Sequence, residues 1–474
     1  MKKKLLVAGA LAAATATAVI VAPLTAEATG LSSGSHPRGA VPPACTPASP
    51  PAPPLTATTT TTIGQAFHCI LDHYYDGPNL NERDLLTSAF AGFTQELQRR
   101  GLDRAEASMP ALTGRRDADW AAFAAVYQKA TDQLPADPAV RQAVAGATMT
   151  GLIAGMHQNH VDWLRVPNKT AAPLGIDVSG RNGAGKTDPA AVAPLFVQSV
   201  QAGGLAAGAA VLAGDEITAV NGVPPFVGGQ LVPAVSDQVS DPAPGVPVTI
   251  TFHRPATDQT FTVTLTPTLS GPGAPPTVTS RLLDGGVGYV RLPGFFTGGA
   301  DQVAAAVAHL RQQSGGLHGL VLDLRGNGGG AADERAKLLG MLAHGLVTSY
   351  ECDSHRVCTA NRTDDSEPLL GLPLVVLTDR DCASACDSFA GSVKDLHLGT
   401  IVGARSAGIV AGLPQGYLLS DGSSIIFPTH YELGADHESV NGIGVAPDYD
   451  APLTSRGLSG GHDAGVEKAL ALLH

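Results

Sequence analysis

Several things are scarce in this sequence, and each shortage removes a class of protein. Aromatic residues make up 5% of the 474 positions and charged residues 15%. No stretch interleaves Lys or Arg with aromatics, and the formal net charge is −12, which excludes a partner held through nucleic-acid phosphates. Beyond the first segment there is no run of about 18 or more apolar residues, so nothing further along is expected to span a membrane. The six cysteines (Cys45, Cys69, Cys352, Cys358, Cys382 and Cys386) include no CxxC pair and no Cys/His spacing of zinc type. That argues against a structural metal.

What is present begins with a leader pattern. Lys2-Lys3-Lys4 is followed by a Leu/Ala/Val run to Val21, and Ala26-Glu27-Ala28 is a small-residue cleavage site. Residues 1–28 therefore read as a secretory signal cleaved after Ala28, and the protein is expected to be secreted or to reside in the cell envelope. Cleavage removes three Lys and one Glu, so the mature chain is more acidic still. No Cys follows that site, so lipid attachment is not expected. An even number of cysteines in an exported chain suggests disulfides. Cys352 and Cys358 suit a hairpin bridge. Cys382 and Cys386 suit a bridge to each other or to that hairpin, and the sequence leaves the pairing open.

The texture then changes three times. Residues 29–62 are rich in Pro, Thr, Ala and Ser and read as a disordered linker. Residues 63–168 carry helical spacing, with Ala66-Phe67, Ile70-Leu71, Leu85-Leu86, Phe90 and Phe93 on apolar faces, and read as an all-α domain. Residues 169–268 hold short β-rich runs: Leu174 to Val178, a turn and strand over Gly214 to Gly222, and alternating strands from Val248 to Phe252 and Thr260 to Leu265. From residue 269 strands and helices alternate, which implies a largely parallel α/β core. The fold class is thus multidomain α/β.

Three segments of that core carry chemistry. Leu322-Asp323-Leu324-Arg325-Gly326-Asn327-Gly328-Gly329-Gly330 ends a buried strand in a Gly-rich loop whose backbone N–H groups can face an anion. A phosphate loop would need Lys and Ser/Thr after the glycines, and they are absent. Cys382-Ala383-Ser384-Ala385-Cys386-Asp387 follows the apolar run Leu374 to Leu377 and opens a helical pattern. A serine at a strand-to-helix turn has an exposed Oγ beside a helix N-terminus, which favours developing negative charge. The third segment is Gly442-Ile443-Gly444-Val445-Ala446-Pro447-Asp448.

Residues 169–268 resemble a PDZ domain of the bacterial protease type, with Pro173-Leu174-Gly175-Ile176 at the place of the carboxylate-binding loop. In order and spacing, the three core segments resemble the carboxy-terminal processing (tail-specific) serine peptidases. The likeness extends over roughly residues 63–474. It implies a ClpP/crotonase-like catalytic core, a protein or peptide substrate and no cofactor. Leu174, Gly175 and Ile176 would bind the peptide end by strand addition. Ser384 matches the nucleophile, the central serine of the family's Ser-Ala-Ser-Ala-Ser-Glu motif. The oxyanion hole would combine the N–H groups of Ala385 and Gly329.

The sequence departs from the family at the general base. A lysine 25 residues after the serine is the family pattern, and Ile409 stands there; isoleucine accepts no proton. Leu413 replaces the family's following Gln, although Gln415 is near. Relatives with a histidine base in the strand opening the core have Arg291 as their counterpart here, and arginine stays charged. His160, in Met156-His157-Gln158-Asn159-His160, resembles the family's Asp-x-His segment with Gln158 in place of the Asp. A neutral imidazole suits general-base work. His160 is therefore the candidate base. His157 is an alternative on the same face if the helix continues, and the group His430, Glu432, His437 and Glu438 is another. A peptide-binding protein without activity is the rival reading.

Overall fold

The runs Val287–Arg291, Gly319–Asp323, Leu374–Thr378 and Thr400–Gly403 are buried along most of their length, as strands covered on both faces must be. In the computed structural model they pair in parallel, in that order. Thr279–Leu283 is added antiparallel at one edge and Tyr449–Asp450 parallel at the other. Alternation of side chains sorts the strands onto two cores. Val290, Leu322 and Val376 pack with Val303, Leu310, Leu338 and Phe389 of the helices Gly299–Ser314, Ala332–Gly340 and Ala385–Asp395. Tyr289, Val321, Val375 and Leu377 pack with Val466 and Ala469 of the helix Ala464–Leu473. The Gly-rich loop and the Ser384 turn leave the carboxyl ends of neighbouring strands, where α/β sheets place their sites.

The structure describes residues 45–48, 53–165, 173–182, 188, 190–268, 277–412 and 414–474. The expected signal, residues 29–44 and 49–52 of the expected linker, and Leu413 lie outside the described residues. No helix among the described residues is long and apolar enough to cross a membrane.

A second, antiparallel sheet has the order Ile176–Val178, Leu195–Val200, Glu216–Val220, Val248–Arg254, Gln259–Leu265. Its inward residues Val197, Ile217, Ile250 and Phe252 close against Val235 and Val239 of the helix Pro233–Ser240. Ile176–Val178 is an edge strand.

Four helices, Thr60–His73, Glu82–Arg99, Arg116–Asp132 and Pro138–Ala154, form the N-terminal region. Three expectations are corrected there. First, residues 45–48 and 53–62 are ordered, not a disordered linker. The first helix begins at Thr60, where Thr59 and Thr62 bond reciprocally as a capping box. Thr46–Pro47 pairs with Pro414–Leu418, Cys45 is bridged to Cys69, and Thr58 Oγ1 donates to Asp421 Oδ2 at 2.6 Å. Second, the region is not an all-α unit. Its core contains Tyr417, Leu419, Ile425 and Phe427 from a hairpin late in the chain, and Asp162–Leu164 pairs with that hairpin. Third, the last helix ends at Ala154, so His157 and His160 lie on a loop and share no helical face.

Candidate active site

Ser384 sits between the strand Leu374–Thr378 and the helix Ala385–Asp395 with φ 56° and ψ −118°. A non-glycine residue held there costs about 1–3 kcal/mol, so its surroundings must impose it. They do so from several sides. Cys382 and Cys386 are joined by a disulfide across the turn. The Ala383 N–H donates to Asn327 O (3.0 Å) and the Ala407 N–H to Cys382 O (2.8 Å). The Ser384 N–H donates to Ile409 O at 2.9 Å and to Asp387 Oδ2 at 3.2 Å. Small Ala side chains on both sides of the serine let the chain turn this sharply.

Asp387 is the group that sequence reasoning missed. It is fully buried and accepts from Ser384 N–H, from Ser406 Oγ, from Gly408 N–H (3.0 Å) and from Ile409 N–H (2.9 Å). One carboxyl group thus joins the serine turn to residues 406–409. Burial pushes its pKa up to about 6 against the opposing pull of these donors. Its only sequence signal is an acid at the third helical position after the serine, which reads equally well as an ordinary capping residue.

The Gly-rich loop lies directly against the serine. A Cβ on Gly329 would stand 2.7 Å from Ser384 Cβ and 2.7 Å from Ala383 O, and φ there is +98°. No other residue fits that approach. The Gly329 N–H donates to Asn327 Oδ1 at 2.9 Å, an engagement the sequence did not signal. As an oxyanion donor it would have to leave that acceptor. Ala385 opens the helix, where the dipole adds to its N–H.

Ile409 is 4% exposed and Val410 2%, so the family's lysine position is an apolar wall that offers the serine only a backbone carbonyl. Lys394 turns away to Ala446 O (2.7 Å) and Asp448 Oδ1 (2.9 Å). The 157–160 loop reaches the other side of the same segment. Asn159 Nδ2 donates to Gly408 O at 3.2 Å and to Asn441 Oδ1 at 3.4 Å. The loop is anchored by Gln158, whose amide donates to the hydroxyls of Tyr74 (3.1 Å) and Tyr75 (3.3 Å) and whose oxygen accepts from Asn159 N–H (2.7 Å). His160, half-buried, follows Asn159 in this loop and its N–H donates to Gln158 Oε1 at 3.3 Å, whereas His157 is exposed with φ 50°.

The other candidates have structural partners. Arg291 Nη2 donates to Arg325 O at 3.4 Å, at the end of its strand. Glu432 pairs with Arg335 at 2.7 Å, His437 stacks on Tyr350 at 4.1 Å, and His430 Nδ1 lies 3.0 Å from Thr429 Oγ1. Glu438 contacts Asp395, whose pKa burial and that carboxyl neighbour push up to about 7. In the five-stranded sheet Leu174 is buried, Gly175 has φ +79°, and Ile176 starts the edge strand. That edge faces the Gly-rich loop: Asp177, Val178, Arg181, Gly326, Gly328 and Asp381 line a cleft of about 140 Å³. A neighbouring cavity of about 220 Å³ shares Asp177 and Gly326 with it. Burial raises the pKa of both Asp379 (to about 6) and Asp381 there.

Known proteins place this arrangement. Residues 286–451 match Peptidase family S41 and residues 164–226 match the PDZ domain. The chain is 31% identical over 292 residues to a chloroplastic C-terminal processing peptidase of Tetradesmus obliquus, covering 58% of this chain and 59% of that protein. It is 29% identical over 251 residues to a carboxy-terminal-processing protease of Bartonella bacilliformis, covering 51% and 55%. The matched part therefore spans little more than half the length of these relatives. Among solved structures, a photosystem II D1 C-terminal processing protease superposes with a TM-score of 0.52 at 23% identity, over 88% of this chain and 98% of that one, which is a likeness of fold. Over the matched residues, then, the chain carries a Peptidase family S41 core preceded by a PDZ domain and is similar to carboxy-terminal processing (tail-specific) serine peptidases.

Proposed function

We propose that this protein is a secreted serine endopeptidase that cleaves exposed or unfolded protein tails through an acyl-enzyme on Ser384. Ser384 Oγ attacks the scissile carbonyl carbon while His160 takes its proton. The oxyanion is received by the Ala385 N–H and by the Gly329 N–H once it releases Asn327 Oδ1, each such donor contributing about 10²–10³ in rate. His160 returns the proton to the leaving amine, and a water activated by the same imidazole hydrolyses the ester. The peptide adds to the edge strand Ile176–Val178, with its terminal carboxylate at Leu174-Gly175-Ile176. Export is supported by the three disulfides, which persist in oxidising compartments.

The observation that carries this reading is the serine in a left-handed strand-to-helix turn with Gly329 packed against it. A second reading, a peptide-binding protein without activity, is favoured by the buried Ile409 where the family has its lysine. A fluorophosphonate probe separates the two. Labelling of the wild type that disappears in Ser384→Ala is expected, and a wild type that never labels would leave the binding protein standing.

A further inference from the structure

We propose that the Cys382–Cys386 disulfide is a redox-sensitive brace that holds the Ser384 turn in its reactive geometry, so that reducing it switches acylation off. The inference rests on Ser384 being the nucleophile. The bridge closes a loop of five residues with the serine at its centre. Both cysteines are fully buried. Each anchors a different element. The Cys382 N–H donates to Asp379 O (3.1 Å) at the strand end, and the Cys386 N–H donates to Ala383 O (2.9 Å) in the first helical turn. The sulfur–sulfur bond therefore ties strand end to helix start across a residue whose φ of 56° it would otherwise leave. Ile409 offers the serine a backbone carbonyl, and the Asp387 carboxyl accepts from the Ser384 N–H, so the bridge acts beside these contacts as the covalent tie between the two flanks of the turn.

Both sulfurs are buried, so a dithiol reaches them through local opening of the turn and then breaks one S–S bond. The two cysteines each gain an electron and a proton, and the dithiol is oxidised to its own disulfide. The freed loop then relaxes away from the positive-φ conformation, and the serine leaves its place against Gly329. A misplacement of about 1 Å is enough to cost on the order of 10²-fold in rate. The cleft against the edge strand is built from other residues, so substrate binding stays. Cys382 and Cys386 are positioning residues, and their signature is a fall in kcat with KM retained.

The test compares fluorophosphonate labelling and peptide turnover in three forms: the wild type, the wild type incubated with dithiothreitol, and Cys382→Ala/Cys386→Ala. Thiol mapping by mass spectrometry reports which of the three bridges has opened, and circular dichroism reports the fold. The expected result is labelling slower by about 10²-fold in both altered forms, an unchanged KM, and recovery on reoxidation in the wild type alone. Equal labelling with the 382–386 bridge open overturns the brace. If the untreated wild type never labels, the nucleophile reading fails by itself. Hydrogen exchange at the 383–388 amides then decides the brace: faster exchange on opening sustains it, and unchanged exchange overturns it.

Discussion

The serine turn and the 157–160 loop meet the same segment, residues 406–410, and are held in opposite ways. The serine turn is fixed by a covalent bridge, backbone pairs and the buried Asp387 carboxylate. The loop carrying His160 is fixed by two amide side chains, Gln158 on a pair of tyrosine hydroxyls and Asn159 on Gly408 O and Asn441. The proposed nucleophile is preformed, whereas the proposed base is delivered by the helical region through a few polar contacts. In a site of this kind nucleophile geometry is expected to resist change, and base geometry to be its adjustable part.

That contrast can be broken. The largest effect belongs to His160→Ala, which should lower kcat by about 10²–10⁴ while circular dichroism is unchanged; full turnover in that variant would remove His160 as base. Next is Asp387→Ala. It strands buried donors at about 1–3 kcal/mol each, so thermal unfolding should shift down markedly and labelling should slow with it. An unshifted melting temperature would show that the carboxylate does not hold the turn. Smaller is Gln158→Ala, worth about 1 kcal/mol of loop anchoring. It should reduce kcat several-fold and leave the labelling-competent turn and the melting temperature close to wild type. An effect as large on stability as that of Asp387→Ala would erase the distinction between the two segments.

A further test uses pH. Burial raises the folded Asp387 carboxyl from 3.8 to about 6, so between those values the folded state holds a proton that the unfolded chain has released. This group's contribution is therefore complete below about 3.8 and is lost as pH climbs through about 6. The wild type should lose stability relative to Asp387→Asn over that interval and run parallel to it above. Parallel denaturation curves throughout would mean that Asp387 titrates normally.

Much of the core was legible because burial on both faces writes strands as unbroken apolar runs, as in Leu374 to Leu377 and Leu320 to Leu322. The Gly-rich loop and Ser384 were legible because a close backbone approach and a sharp turn demand small residues. What escaped was set by partners far along the chain. Asp387 looks like a capping acid until Ser406, Gly408 and Ile409 converge on it. The Gly329 amide looks free until Asn327 folds back. Residues 53–62 look like linker until Asp421 receives Thr58. The helical pattern past Ala154 stops because Gln158 bonds its own loop in place of continuing the ladder.

The late hairpin inside the N-terminal core also dictates an order of assembly. Thr62 reaches Ser420 across a sequence separation of 358 residues, and Phe67 and Phe93 share their core with Tyr417 and Phe427. A growing chain can make the four helices early but cannot close their core until the hairpin has been synthesised. Long-range closure of that kind is slow. The loop bearing His160 sits between those helices and that hairpin, so it is set only when the chain is nearly complete, and a truncated or nascent form would carry the serine turn without its proposed base.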